Sequence, residues 1–110
     1  MKFKIDKEEI ISEFQSLAAV ADKKQTLPIL SNILIRCEPD SVRLLSTDLE
    51  VELEVCLSGA NIEQPGETTI PAKKAADIIR ELPEGQVSFE LNEENSKLTV
   101  KSSSGKYNLS

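Results

Sequence analysis

Leu49-Glu50-Val51-Glu52-Leu53-Glu54-Val55-Cys56-Leu57 alternates apolar and polar residues, a period of two that turns one face into a core and three carboxylates into water. A strand with one wet face belongs to an antiparallel sheet covered on its other side. On the N-terminal side, residues 29–37 and 42–46 read as two further strands, split by the turn Glu38-Pro39-Asp40, with Thr47-Asp48 as a short link. Upstream, Asp6 followed by Glu9 makes a capping box, and Ile10, Ile11, Phe14, Leu17 and Ala18 recur at helical spacing. The pattern predicts a first helix over residues 7–21, ended by Pro28, and an opening strand over residues 2–5.

On the C-terminal side, Gln64-Pro65-Gly66 turns the chain into a short strand over residues 67–70, and Pro71 opens a second helix over residues 72–82 that Pro83 and Gly85 stop. Val87-Phe89-Leu91, Leu98-Val100 and Tyr107-Leu109 mark three more strands. The order β-α-β-β-β is thus written twice, in halves 1–60 and 61–110 of a single domain, residues 1–110. The simplest packing is an α+β fold with two helices side by side on one face of a curved antiparallel sheet. Helices and acidic strands then look in opposite directions.

Composition narrows the chemistry. At 110 residues and 12.1 kDa the chain allows one compact unit, not separate cofactor and substrate lobes. It has no histidine and no tryptophan, so the commonest general base and metal ligand is missing. Cys37 and Cys56 are too few and too far apart for a zinc site; with no activating cation or helix N-terminus placed beside either they read as structural, and an N-terminus without a signal-peptide run predicts a cytoplasmic protein with both thiols reduced. No metal or cofactor is expected, and no apolar run suits a signal peptide or membrane span. Asp48 and Glu50 are the only pair that invites a hydrolase reading, and a carboxylate beside a strand link more often caps a turn.

The formal charge of −6 speaks against nucleic acid, and neither half is basic, with 7 basic and 11 acidic residues in the first and 6 and 8 in the second. The clusters qualify that. Lys23-Lys24 follow the first helix, where its dipole favours cations. Lys73-Lys74 occupy the first turn of the second helix, where the same dipole disfavours them by about 0.3–1 kcal/mol. Two readings stand for Lys73 and for Arg80, two turns along the same face: a phosphate-attracting site at a helix N-terminus, or solvated pairs with Asp77 and Glu81. The last strand, with Lys97, Lys101 and Lys106 around it and no acid, is either edge protection or a docking edge for an acidic surface.

Several motifs together are specific: Met1-Lys2-Phe3, Thr26-Leu27-Pro28-Ile29-Leu30 with Asn32, Thr47-Asp48-Leu49-Glu50, Pro65-Gly66, Thr69-Ile70-Pro71-Ala72-Lys73-Lys74 and Leu82-Pro83-Glu84-Gly85. In order and spacing they resemble the N-terminal domain of the bacterial DNA polymerase III beta subunit, the sliding-clamp family. The resemblance covers the whole chain but only the first of three similar domains, so a piece of a longer protein is expected. It implies a DNA-clamp-like fold and a non-catalytic processivity factor: two subunits joined head to tail as a homodimer ring around double-stranded DNA, holding the polymerase through sequence-blind phosphate contacts. Acid would lie mainly outside, with the lumen positive. By position the resemblance carries DNA contact to Lys24 and Lys73, with Lys23, Arg80 and Gln15 as neighbours. It carries the subunit interface to Tyr107 and Leu109, with Lys97, Lys106 and Lys74 near acidic groups of the partner. The pocket that recruits DNA polymerase III and clamp loader belongs to a domain not in this chain. The competing reading is a small protein-interaction module that uses its C-terminal edge strand and no DNA.

Overall fold

A computed structural model describes residues 1–21 and 31–109. Nine strands and two α-helices follow one another as β1 (Lys2–Asp6), a 3-10 turn (Lys7–Glu9), α1 (Ile11–Val20), β2 (Asn32–Cys37), β3 (Val42–Thr47), β4 (Glu52–Leu57), β5 (Asn61–Gln64), β6 (Gly66–Pro71), α2 (Ala72–Glu81), β7 (Gln86–Asn92), β8 (Lys97–Lys101) and β9 (Lys106–Leu109). All pairings are antiparallel, in the orders β5-β1-β7-β8-β9 and β4-β3-β2-β6. The fold is α+β, two helices on antiparallel sheets, as the patterning predicts. The layer is built from two sheets, and the strand before each helix pairs with a strand that follows the other helix: β1, before α1, with β7, after α2, and β6, before α2, with β2, after α1.

The alternation that predicts the strands also fills the core. Phe3 and Ile5 of β1, Ile33 and Ile35 of β2, Val42 and Leu44 of β3, Val87 and Phe89 of β7, and Leu98 and Val100 of β8 are all buried. Phe14 and Leu17 from α1 and Ala75, Ala76 and Ile79 from α2 close this layer from above. Phe89 stacks on Phe3 at 4.8 Å and on Phe14 at 6.1 Å, which joins one sheet to α1. The buried Ser46 hydroxyl donates to the Leu17 carbonyl at 2.8 Å and fixes the end of α1 on β3. The sheets meet at Gly66, where a Cβ would stand 2.9 Å from that of Met1.

Three expectations are corrected. The first helix does not start at residue 7, because β1 runs through Asp6 and the Lys7 amide donates to Gly85 at 2.9 Å. Asp6 makes no side-chain cap, and the chain passes through the 3-10 turn before α1 begins at Ile11. Lys7 instead spends its ammonium on the Arg80 and Leu82 carbonyls at the end of α2, where a cation is favoured. The strand expected over residues 49–57 starts only at Glu52: Leu49 and Val51 are 72% and 54% exposed. The Asp48 carboxylate takes the Glu50 and Val51 amides at 2.9 and 2.8 Å, turning the chain with Leu49 at φ 81°. Strand β5 had no counterpart in the sequence pattern. Among the described residues, no helix is long and apolar enough to cross a membrane.

Candidate functional site

Lys73, Asp77 and Arg80 recur at i, i+4 and i+7, so α2 presents all three along one face while Ala72, Ala75, Ala76 and Ile79 go inward. The neighbouring α1 turns Gln15 toward the same space. Between them lies an open groove of about 550 Å³, floored by small residues such as Ala18 and Ala76 and rimmed by Gln15, Lys73, Asp77 and Arg80. The structure therefore gathers three of the five expected DNA-contact residues, Gln15, Lys73 and Arg80, at one site. Lys23 and Lys24 lie outside the described residues. The alanine floor and Asp77 were not foreseen as parts of a site. Their signal is the pairing of Ala18-Ala19 with Ala75-Ala76 at helix positions, small residues that let two helices lie close and leave a furrow.

Ion pairing separates the cations. Lys2 and Lys4 share Glu63 at 3.4 Å each, Arg36 meets Glu67 at 3.1 Å, and Arg43 meets Glu54 at 3.1 Å and Glu38 at 3.4 Å. Arg43 is held charged even more firmly than usual by the hydrogen bond to Glu54. Desolvation pushes the Glu63 carboxyl up, but the hydrogen bonds and charges of Lys2 and Lys4 together outweigh it and hold the group below its usual value. Arg80 is also taken, by Asp77 at 3.2 Å and Glu81 at 3.6 Å. The solvated-pair reading thus holds for Arg80. It fails for Lys73, which, like Lys74, is exposed and has no carboxylate partner among the described residues. The first turn of α2 carries no acid and no side-chain cap, so its amides share the free positive charge of both lysines.

The charge layout differs from an acidic outside and a basic inside. Among the described residues the helical segments hold Lys7, Lys73, Lys74 and Arg80 against Glu8, Glu9, Glu13, Asp77 and Glu81. The strands hold seven cations, Lys2, Lys4, Arg36, Arg43, Lys97, Lys101 and Lys106, against six acids, Asp6, Glu52, Glu54, Glu63, Glu67 and Glu90. The remaining described acids sit in turns. What marks the groove is the availability of Lys73, not a net charge.

The second candidate surface is the β9 edge. Lys97 and Lys106 are exposed and, with Lys101, have no carboxylate partner among the described residues. Tyr107 stands opposite Val100 and is 41% exposed, the outermost apolar side chain of the core-facing register. Leu109, which the resemblance carries to the subunit interface, stands opposite Leu98 and is only 7% exposed in this chain. It completes the core of its own sheet, and what it offers at the edge is backbone. Asp48 and Glu50 make no hydrolytic pair: Asp48 spends its carboxylate on its own turn, whose amides hold it below the usual carboxylate range. Burial pushes the Cys37 thiol up, and Cys56 faces solvent on β4.

With this geometry in hand, comparison with known proteins is direct. The family model described as "DNA polymerase III beta subunit, N-terminal domain" matches residues 1–110. The chain is 39% identical over 110 residues to the beta sliding clamp of Pseudomonas aeruginosa, covering 100% of this chain and 30% of that protein. It is 34% identical over 111 residues to the beta sliding clamp of Escherichia coli K12, with the same coverage of 100% and 30%. Among solved structures, the DNA polymerase III subunit beta of Pseudomonas aeruginosa superposes with a TM-score of 0.90 at 37% identity, covering 100% of this chain and 30% of that one. The Bacillus subtilis sliding clamp superposes with a TM-score of 0.92 at 27% identity, over 99% and 30%. The chain spans about 30% of the length of the relatives it matches.

Proposed function

The chain belongs to the DNA polymerase III beta subunit family, matched as its N-terminal domain, and on that premise we propose that it is one domain of a ring that encircles duplex DNA. The ring is a head-to-tail homodimer of the longer protein, acting in the cytoplasm as a non-catalytic processivity factor. DNA polymerase III and the clamp loader bind it through a domain outside this chain. No cofactor takes part.

The observation that carries the reading is Lys73. It stands in a helix N-terminal turn that disfavours it, without a carboxylate partner among the described residues, on the rim of a groove shared by both helices. A lysine that does not serve its own helix and pairs with no described acid suits an external anion, and a phosphate backbone supplies anions without regard to sequence. Lys24 and Lys23, following α1, and Gln15 would extend the contact, with Arg80 contributing once a phosphate competes with Asp77. Few contacts per domain keep each attraction weak, so the ring slides, and closure rather than affinity retains it. At the β9 edge, Tyr107 and the Leu109 backbone would meet the last domain of the other subunit, with Lys74, Lys97 and Lys106 facing its acids.

The test is topological. The full-length protein carrying this domain is loaded onto nicked circular DNA, and its retention is followed before and after the circle is cut once. Retention on the circle with loss after cutting is the expected result. Equal retention on both forms means binding by contact alone, and the encirclement reading is wrong.

A further inference from the structure

We propose that Lys7 is a positioning residue for DNA contact: from the start of α1 it closes the end of α2, and so holds Arg80 on the rim of the groove. Helix α2 cannot close its own last turn. The Leu82 amide returns to the Ile78 and Ile79 carbonyls at 3.1 and 3.3 Å, but the next residue is Pro83, which has no N–H to give to the Arg80 carbonyl. The Lys7 ammonium supplies the missing donors, to the Arg80 carbonyl at 2.9 Å and to the Leu82 carbonyl. Its backbone is fixed as well: the amide donates to the Gly85 carbonyl at 2.9 Å, and the carbonyl accepts the Ile10 amide at 3.0 Å.

Lys7 takes these carbonyls although acids are at hand. Asp6, Glu8 and Glu84 line a cavity of about 340 Å³ together with Lys7, yet among the described residues none of them forms an ion pair with it. A half-buried lysine that passes over three carboxylates for two carbonyls serves the helix end, where the macrodipole favours a cation. The link also orders the helix pair. Lys7 precedes α1 and holds the end of α2, so the helices run in opposite directions, and Lys73 at the start of α2 lies beside the end of α1. Arg80 occupies the last turn of α2, where it lines the groove with Asp77 at 3.2 Å from its guanidinium. When that turn unwinds backward from Pro83, Arg80 is the first groove residue to leave, whereas Lys73 lies two turns deeper in the helix and stays. Lys7 therefore acts on DNA through Arg80 and does not touch it, because its own ammonium is already taken.

This rests on the reading that Arg80 faces enclosed DNA, and the experiment separates the two. In the full-length protein, Lys7→Met removes the donors and keeps the apolar stem, and Lys7→Arg keeps donors for both carbonyls. Amide exchange at Leu82 should quicken roughly tenfold in Lys7→Met and stay near that of the unaltered protein in Lys7→Arg. Affinity for duplex DNA at low salt should fall about threefold in Lys7→Met and recover in Lys7→Arg. The loss should vanish when Lys7→Met is combined with Arg80→Ala and persist when it is combined with Lys73→Ala. Unchanged exchange at Leu82 would overturn the proposal. So would a loss of the same size in the Arg80→Ala background, which a general loosening of the helices produces. If Arg80→Ala alone leaves affinity unchanged, Arg80 does not meet DNA and the proposal falls with its premise; if Arg80→Ala weakens binding and Lys7→Met does not, the proposal alone falls.

Discussion

Lys73 and Arg80 line the same groove from one face of α2, yet Asp77 lies between them in sequence and holds only Arg80, at 3.2 Å. The two cations therefore differ in readiness. Lys73 meets an incoming anion at once, whereas Arg80 must first exchange a carboxylate for it. Both stay solvated, so the difference is worth a few-fold in binding rather than orders of magnitude.

Asp77→Asn should release Arg80 and remove a charge that repels phosphate. In the full-length protein we expect binding to duplex DNA to tighten roughly three- to tenfold at low salt, with the gain lost as salt rises. Affinity measured across a salt series checks this. No change at low salt would mean that Arg80 does not face DNA.

Gly66 joins the two sheets, and its φ of 155° together with a Cβ position 2.9 Å from that of Met1 leaves no room for a side chain. Gly66→Ala should cost about 1–3 kcal/mol, read from urea unfolding. Gly59, around whose Cβ position there is open space, has φ 76° and should lose less with the same change, through backbone strain alone. An unaffected midpoint for Gly66→Ala would show that the sheets do not meet tightly there.

Asp48 gives the β3–β4 turn a pH dependence of known sign. Its carboxylate is lowered by the Val51 and Glu50 amides, so its contribution is complete above the unfolded-state value and fades as pH falls through the lower folded value. Amide exchange at Glu50 and Val51 should therefore speed up, beyond its intrinsic pH dependence, only below the ordinary carboxylate range. Asp48→Asn keeps an acceptor oxygen and should flatten that response, while Asp48→Ala should raise exchange at every pH. Identical protection in all three proteins would refute the assignment.

The patterning revealed elements whose apolar residues repeat and concealed those governed by hydrogen bonds. Both helices and eight of the nine strands follow from periods of 3.6 and 2. β5 escaped because Asn61-Ile62-Glu63-Gln64 contains one apolar residue; its place comes from backbone pairing of Ile62 with Phe3. Leu49 and Val51 were assigned to a strand because alternation persists through a turn that only the Asp48 carboxylate reveals. The resemblance carries an interface role to Leu109, and spacing alone did not show that its register opposite Leu98 turns the side chain inward. At the groove, Lys73 was legible because it conflicts with its helix dipole, but nothing in spacing alone says that Asp77 would choose Arg80 over Lys73.

The central claim is that available lysines on the helical side meet enclosed DNA. Its most direct test is charge reversal at Lys73 together with Lys24, measured as loading and retention of the full-length protein on closed circular DNA. The account predicts a loss of tenfold or more for the double variant, with folding and subunit assembly intact. Loading and retention equal to those of the unaltered protein would contradict it.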